Sequence, residues 1–289
     1  MYEPPDDTFR VPFDGSFRIT DATTRPPPDA PDKKKCRRDL KERVDEISDL
    51  QRILYAHDRH AVLLVFQALD AAGKDSTIRA VASGINPAGC QVSNFKQPSA
   101  EELDHDFLWR SASRLPERGR IGIFNRSYYE EVLVVRVHPE YLAHQRLPAG
   151  FDSERIWEHR FDSIRDHEQH LARNGTVILK FWLNVSREEQ KRRFLARIDV
   201  PEKNWKFSTA DIRERGHWDE YMHAYEEALR ATSRPWAPWY AIPADDKPFM
   251  RLAVAEILCS TLKGMELHYP TIDDAQRAKL KEMRALFEG

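Results

Sequence analysis

Gly73 and Lys74, in the stretch AVLLVFQALDAAGKDSTIRA (61–80), are the pair that a phosphate-binding loop needs. Glycine lets the backbone approach a phosphate closely, and the lysine supplies positive charge. A helix starting near Asp75 would add free N–H groups and the positive end of its dipole. The standard loop reads G-x-x-x-x-G-K-[ST]. Here Ala68 stands at the first glycine and Asp75 at the hydroxyl, with Ala71, Ala72, Ser76 and Thr77 completing the cradle. Asp70 lies inside the loop. A carboxylate beside bound phosphates is repulsive unless a divalent cation sits between them, so Asp70 reads as a metal ligand, with a local Asx-turn as the plainer alternative. The plainer reading of the whole stretch is a helix-entry turn capped by Asp75.

Further along, FNRSYYEEVLVVRVH (124–138) places Asn125, Arg126 and Glu130 at the end of an apolar run. Arg126 is of the type that clamps a transferred phosphoryl group. Lys96 and Arg110 are candidates for an acceptor phosphate, and Phe107 or Trp109 for packing a base, although aromatics at helical spacing are more often core. Between 187 and 206 there are seven basic residues (Arg187, Lys191, Arg192, Arg193, Arg197, Lys203, Lys206) against four acids. That pattern suits a lid that closes over phosphates and brings an arginine to the transition state, and equally suits a salt-bridged solvent face. Asp245, Asp246, Lys247 and Arg251 repeat the theme weakly. His167 and His170 flank Glu168 in RDHEQHLAR, a segment expected to face solvent and, lacking a third ligand, to bind no metal.

These side chains need elements to carry them. AVLLVF (61–66), CQVSNF (90–95), RIGIF (120–124), TVILKFWL (176–183) and WYAIPA (239–244) read as five strands. Continuous apolar runs among them indicate strands covered on both faces. Helical patterns are expected over 34–57, 75–83, 100–115, 127–143, 152–174, 186–198 and 217–232. Strands alternating with helices make an α/β fold with a parallel five-stranded sheet and helices on both faces, whose ligands bind at the carboxyl ends of the strands. Residues 1–33, with seven prolines up to Pro31, read as an extended arm. Residues 34–289 read as one domain, with the lid at about 186–216.

Lys plus Arg total 45 against 47 Asp plus Glu, so no global field drives the chain onto nucleic acid or an anionic membrane. Any polyanion must be held by local basic clusters. Cys36, Cys90 and Cys259 form no C-x-x-C, which disfavours a zinc site or disulfide scaffold and fits a cytoplasmic setting. The longest apolar run is too short to span a bilayer, and MYEPPDD is acidic where a signal peptide would be basic.

ALDAAGKD (68–75), SGINPAGCQVSNFKQPSAEELDHDFLWR (83–110), FNRSYYEEVLVVRVH, and EEQKRRF together with VPEKNWKFS resemble the polyphosphate kinase 2 family, over about residues 34 to 264. The family's loop reads G-x-D-x-x-G-K-D, so the unusual acids are its own and only Ala68 departs. The resemblance implies a P-loop kinase-like fold with a helical lid and Mg²⁺-dependent phosphoryl transfer, with Mn²⁺ as a substitute. The substrates it implies are inorganic polyphosphate and adenine or guanine nucleotides, and the assembly a homo-oligomer, dimer or tetramer. Asp70 and Lys74 match the family's loop acid and lysine, Arg126 the arginine of its second motif, and Arg192 or Arg193 its lid arginine. Asn125 and Glu130 look like the class that phosphorylates both AMP and ADP. A monophosphate kinase of the thymidylate kinase type, using ATP, and a non-catalytic polyphosphate or nucleotide sensor are the competing readings.

Overall fold

The structure is a computed structural model and describes residues 1–288. Five strands, β1 (Ala61–Gln67), β2 (Cys90–Asn94), β3 (Ile121–Asn125), β4 (Thr176–Asn184) and β5 (Trp239–Pro243), form one sheet in the order β2-β3-β1-β4-β5. Every pairing is parallel. β1 and β4 are buried along almost their whole length, as their apolar runs require. Alternate residues serve opposite faces. Val62, Leu64 and Phe66 join Val177, Leu179 and Phe181 in one core, while Leu63 and Val65 join Ile178 and Trp182 in the other.

The first face is covered by α1 (Lys33–His57), α2 (Lys74–Val81) and α7 (Lys247–Gly264), and the second by α3 (Ile156–Arg173) and α6 (Trp218–Thr232). Asp32 caps α1 by accepting from the Lys34 and Lys35 N–H groups, which offsets the basic residues of its first turn. Between β4 and α6 lie α4 (Arg187–Asp199), a 3₁₀ segment (Pro201–Lys206) and α5 (Thr209–Gly216). A last helix, α8 (Asp274–Glu288), has no buried residue. Among the described residues no helix is long and apolar enough to cross a membrane.

Residues 9–11 run antiparallel to β5 at the sheet edge: Val11 N–H donates to the Trp239 carbonyl and Ala241 N–H to that of Phe9, both at 2.8 Å. The segment then crosses the strand ends, where Ala22 and Thr23 carbonyls accept from Asn184 and the Thr24 carbonyl accepts from Asp245 N–H.

Three expected elements differ. Residues 100–115 are two single-turn helices, Ala100–Leu103 and Trp109–Ala112, separated where Asp106 accepts from Leu108 N–H. Residues 127–143 are two 3₁₀ stretches around the short helix Val134–Val137, because Tyr128 and Tyr129 are drawn inward by hydrogen bonds and Pro139, which has no N–H to donate, ends the helix at His138. The segment around Glu168 does not face solvent throughout: Glu168 is wholly buried, ion-paired with Lys180 of β4.

Candidate active site

β1 lies between β3 and β4, so the loops leaving these strands' carboxyl ends meet over one crevice. The loop from Ala68 to Gly73 leads directly into α2, whose N-cap is Gly73 at φ 113°, a conformation that side chains rarely adopt. Ala71 also takes a positive φ, 62°. Ala68 does not, which explains why alanine can replace the glycine there. Lys74 folds back to donate to the Ala68 carbonyl at 2.6 Å. Burial, and after it repulsion from Arg126, pushes its pKa down to about 8. Ser76 lines the crevice and donates to the Gly73 carbonyl, whereas Ala72 and Thr77, expected in the cradle, are wholly buried and do not line it.

Arg126, the first residue beyond β3, has φ 64° and is tied to β1 by its N–H to the Phe66 carbonyl. Its guanidinium spans two acids, Asp70 at 3.0 Å and Glu130 at 3.2 Å. Glu130, then Asp70, hold it charged by raising its pKa. Beside it the Asn125 amide donates to both Asp75 and Asn94 at 2.8 Å.

α4 separates Arg192 from Arg193. Arg193 lies on the buried stripe of α4 with Gln190 and Phe194, and is only 6% exposed. Its guanidinium donates to the Ala71, Ala72 and Ala244 carbonyls at 3.1, 2.5 and 2.6 Å, and to Glu189. Arg193 therefore fixes the shape of the phosphate loop. Arg192, paired with Glu189, is exposed and lines the crevice with Lys203 and Lys206. Gln190 donates to the Asp70 carbonyl and accepts from Arg215 of α5, linking α4 and α5 to the loop after β1.

The crevice has a volume of about 1050 Å³, and its lining includes ten Lys or Arg residues against Asp70 and Asp75. A second cavity of about 260 Å³ opens on the other side of Arg126 and Glu130, lined by Lys96, Arg110, Phe107, Tyr141 and His144. Arg110 sits over the Phe95 ring and donates to the Lys96 carbonyl at 2.7 Å. Trp109 stacks on His105 and does not line the cavity.

Sequence reasoning missed Asn94, Gln190 and Arg215 as site neighbours. The spacing of Gln190, Arg193 and Phe194 is a helical stripe and could have singled out Gln190 and the buried arginine. Lys247, named only as a weak basic theme, lines the crevice, its pKa pushed down to about 8 by burial and then by Arg193 and Arg251.

The family model for polyphosphate kinase 2 matches residues 30–270. An ADP-polyphosphate phosphotransferase of Rhodopseudomonas palustris is 58% identical over 246 residues, 85% of each chain. An AMP/ADP-polyphosphate phosphotransferase of Meiothermus ruber is 44% identical over 229 residues, 79% of this chain and 82% of that one. The crystal structure of polyphosphate kinase 2 from Arthrobacter aurescens superposes with a TM-score of 0.86 at 35% identity, covering 98% of this chain and 99% of that one. With the match running from α1 through α7 and including the loop after β1, Arg126 and α4, the chain belongs to the polyphosphate kinase 2 family.

Proposed function

We propose that this protein transfers the terminal phosphoryl group of inorganic polyphosphate to a nucleotide, using ADP and AMP as acceptors. The observation that carries the reading is the crevice, where ten basic side chains face two acidic ones in a chain of net charge −2. Such local concentration of positive charge suits a polyanionic chain. Phosphoryl transfer needs positioning and charge neutralisation, and no covalent nucleophile from the protein.

In this reading the loop N–H groups and Lys74 hold the terminal phosphates of the donor, and Arg192, Lys203 and Lys206 guide the chain behind them. An oxygen of the acceptor phosphate attacks the terminal phosphorus, the bridging P–O bond breaks, and polyphosphate leaves one unit shorter. Arg126 stands between crevice and cavity, where it reaches the group in flight. The acceptor occupies the smaller cavity, with Lys96 and Arg110 toward its phosphate and Phe107 beside its adenine or guanine. Asn125 and Glu130 set the breadth from ADP to AMP.

The family implies a divalent cation. Among the described residues no group of three or more His, Cys, Asp or Glu side chains could hold a metal. Mg²⁺ keeps several waters and takes one or two carboxylates plus substrate phosphates, and Mn²⁺ accepts the same oxygen donors. Asp70, partly exposed and opening onto the crevice, fits that sparing donor set. The cation would neutralise charge on the phosphates when bound.

A cytoplasmic setting and assembly into a dimer or tetramer complete the reading. The exposed Leu280, Met283, Leu286 and Phe287 of α8 support assembly, since such apolar patches mark contact surfaces. Incubation with polyphosphate, Mg²⁺ and ADP in the absence of ATP tests the function: ATP should accumulate with the native protein and about 10²–10³-fold more slowly with Lys74→Ala. Absence of ATP from the native reaction would refute it.

A further inference from the structure

Lys180 and Glu168 form an ion pair at 2.7 Å in which both side chains have no solvent exposure. Their remaining bonds converge on the turn after β3. Glu168 Oε1 accepts from the Tyr128 phenol at 2.9 Å, and the Tyr129 hydroxyl lies between the same oxygen, Lys180 Nζ and Thr232 Oγ1, at 2.9, 2.8 and 2.9 Å. Lys180 also donates to the Thr232 carbonyl at the end of α6, and Trp239 of β5 donates to the Thr232 hydroxyl. Burial pushes both phenols well above their ordinary pKa, so they remain donors, while it pushes Glu168 up and Lys180 down to about 8.

Replacing a buried ion pair by apolar side chains of similar volume is often neutral or stabilising. Fold stability therefore gives little reason for β4, α3, α6 and β5 to converge on this one. What the pair does hold is Tyr128 and Tyr129, the two residues between Ser127 and Glu130. Arg126, immediately before, sits in the left-handed region, which is strained for a residue other than glycine and persists only where surroundings over-determine it. The Ser127 hydroxyl accepts from Tyr129 N–H, and Glu130 N–H donates to the Ser127 carbonyl, so fixing the phenols fixes the whole turn.

We propose that Lys180 and Glu168 are positioning residues for Arg126: by pinning the phenols of Tyr128 and Tyr129 they hold Arg126 and Glu130 in the geometry that presents the guanidinium to the transferred phosphoryl group. This rests on the role given to Arg126 above. A double-mutant cycle between Tyr128→Phe/Tyr129→Phe and Arg126→Lys tests it, because the phenylalanines keep ring packing and leave Glu168 paired with Lys180. In the native background the tyrosine variant should lower kcat about tenfold, with KM for polyphosphate changed less than about twofold. In the Arg126→Lys background the same change should cost less than about twofold, since residues acting through one group are not additive. Equal losses in both backgrounds, referred to the folded fraction by calorimetry, would overturn the proposal as a merely structural effect. Native turnover in Arg126→Lys alone would instead overturn the reading of Arg126 itself. Tyr128→Phe alone, which keeps every Tyr129 bond, repeats the cycle with a milder variant should the double change impair folding.

Discussion

The side-chain amide of Asn125 donates to Asp75 and to Asn94 at 2.8 Å each, bridging the ends of β2 and β3 to the first turn of α2. An amide satisfies two acceptors here, whereas a carboxylate would face the Asp75 carboxylate and the Asn94 side-chain Oδ1 with no proton to offer. Asn125→Asp therefore brings two like charges into hydrogen-bond range and raises the pKa of one of them. The expected outcome is a change of about fivefold or more in the ratio of AMP to ADP turnover, on the scale of about 1 kcal/mol of differential binding. Steady-state rates on both acceptors, with polyphosphate as sole donor, check it; an unchanged ratio would detach Asn125 from acceptor choice.

Lys74 gives a pH signature. Its pKa, depressed to about 8 by burial, means that the free enzyme loses the loop charge as pH rises through that value. The rate constant kcat/KM for polyphosphate should accordingly fall on an alkaline limb centred near pH 8. The folding linkage has the opposite sense: the unfolded chain holds the lysine proton up to about 10.5, so this group's contribution to stability rises from about pH 8 to 10.5. A kcat/KM profile flat to pH 10 would contradict the assignment. Lys74→Ala should reduce turnover by about 10²–10³, the loss typical of one preorganised charge-stabilising group.

Arg192 and Arg193 should separate cleanly. Arg193→Ala leaves the Ala71, Ala72 and Ala244 carbonyls without their buried donor. A destabilisation of about 3 kcal/mol is expected, together with lost activity, because the loop loses its brace. Arg192→Ala should leave the thermal midpoint unchanged and lower turnover more than nucleotide binding. Calorimetry beside steady-state kinetics distinguishes them, and equal thermal midpoints for the two variants would contradict the division.

The edge contact of residues 9–11 on β5 predicts that a variant lacking residues 1–24 loses stability and tends to self-associate. Such a deletion exposes the backbone of Trp239 and Ala241 and removes Phe17 from its edge contact with Trp182. Thermal scans and light scattering provide the check; a deletion variant with native midpoint and mass would show that the contact contributes little.

Four of the five strands were legible as apolar runs and β2 by its alternation of Cys90 and Val92 with polar residues, and the phosphate loop because it joins a strand to a helix. The turn after β3 reads as one helix in the sequence, since nothing local reveals that Tyr128 and Tyr129 are held by Glu168 some forty residues on. The same distance hid the buried state of Glu168, since RDHEQHLAR is polar by composition. α7 is not legible in the sequence because its buried residues, from Phe249 to Leu262, occupy nearly every side of the helix and leave no amphipathic period. At the site, residue types identified Asp70, Lys74 and Arg126 as neighbours. Composition alone could not say that Arg193 is spent on loop carbonyls while Arg192, paired with Glu189, is exposed at the crevice.

Donor identity is the centre of the account, and one pair of reactions tests it most directly. AMP and Mg²⁺ are incubated with the purified protein and either polyphosphate or ATP as the only donor, and ADP and shortened polyphosphate are followed by ³¹P resonance. The account predicts ADP formation with polyphosphate at a rate well above that with ATP. ADP formed with ATP and not with polyphosphate would contradict it and assign the chain to the monophosphate kinases, and no transfer to AMP from either donor would contradict it as well.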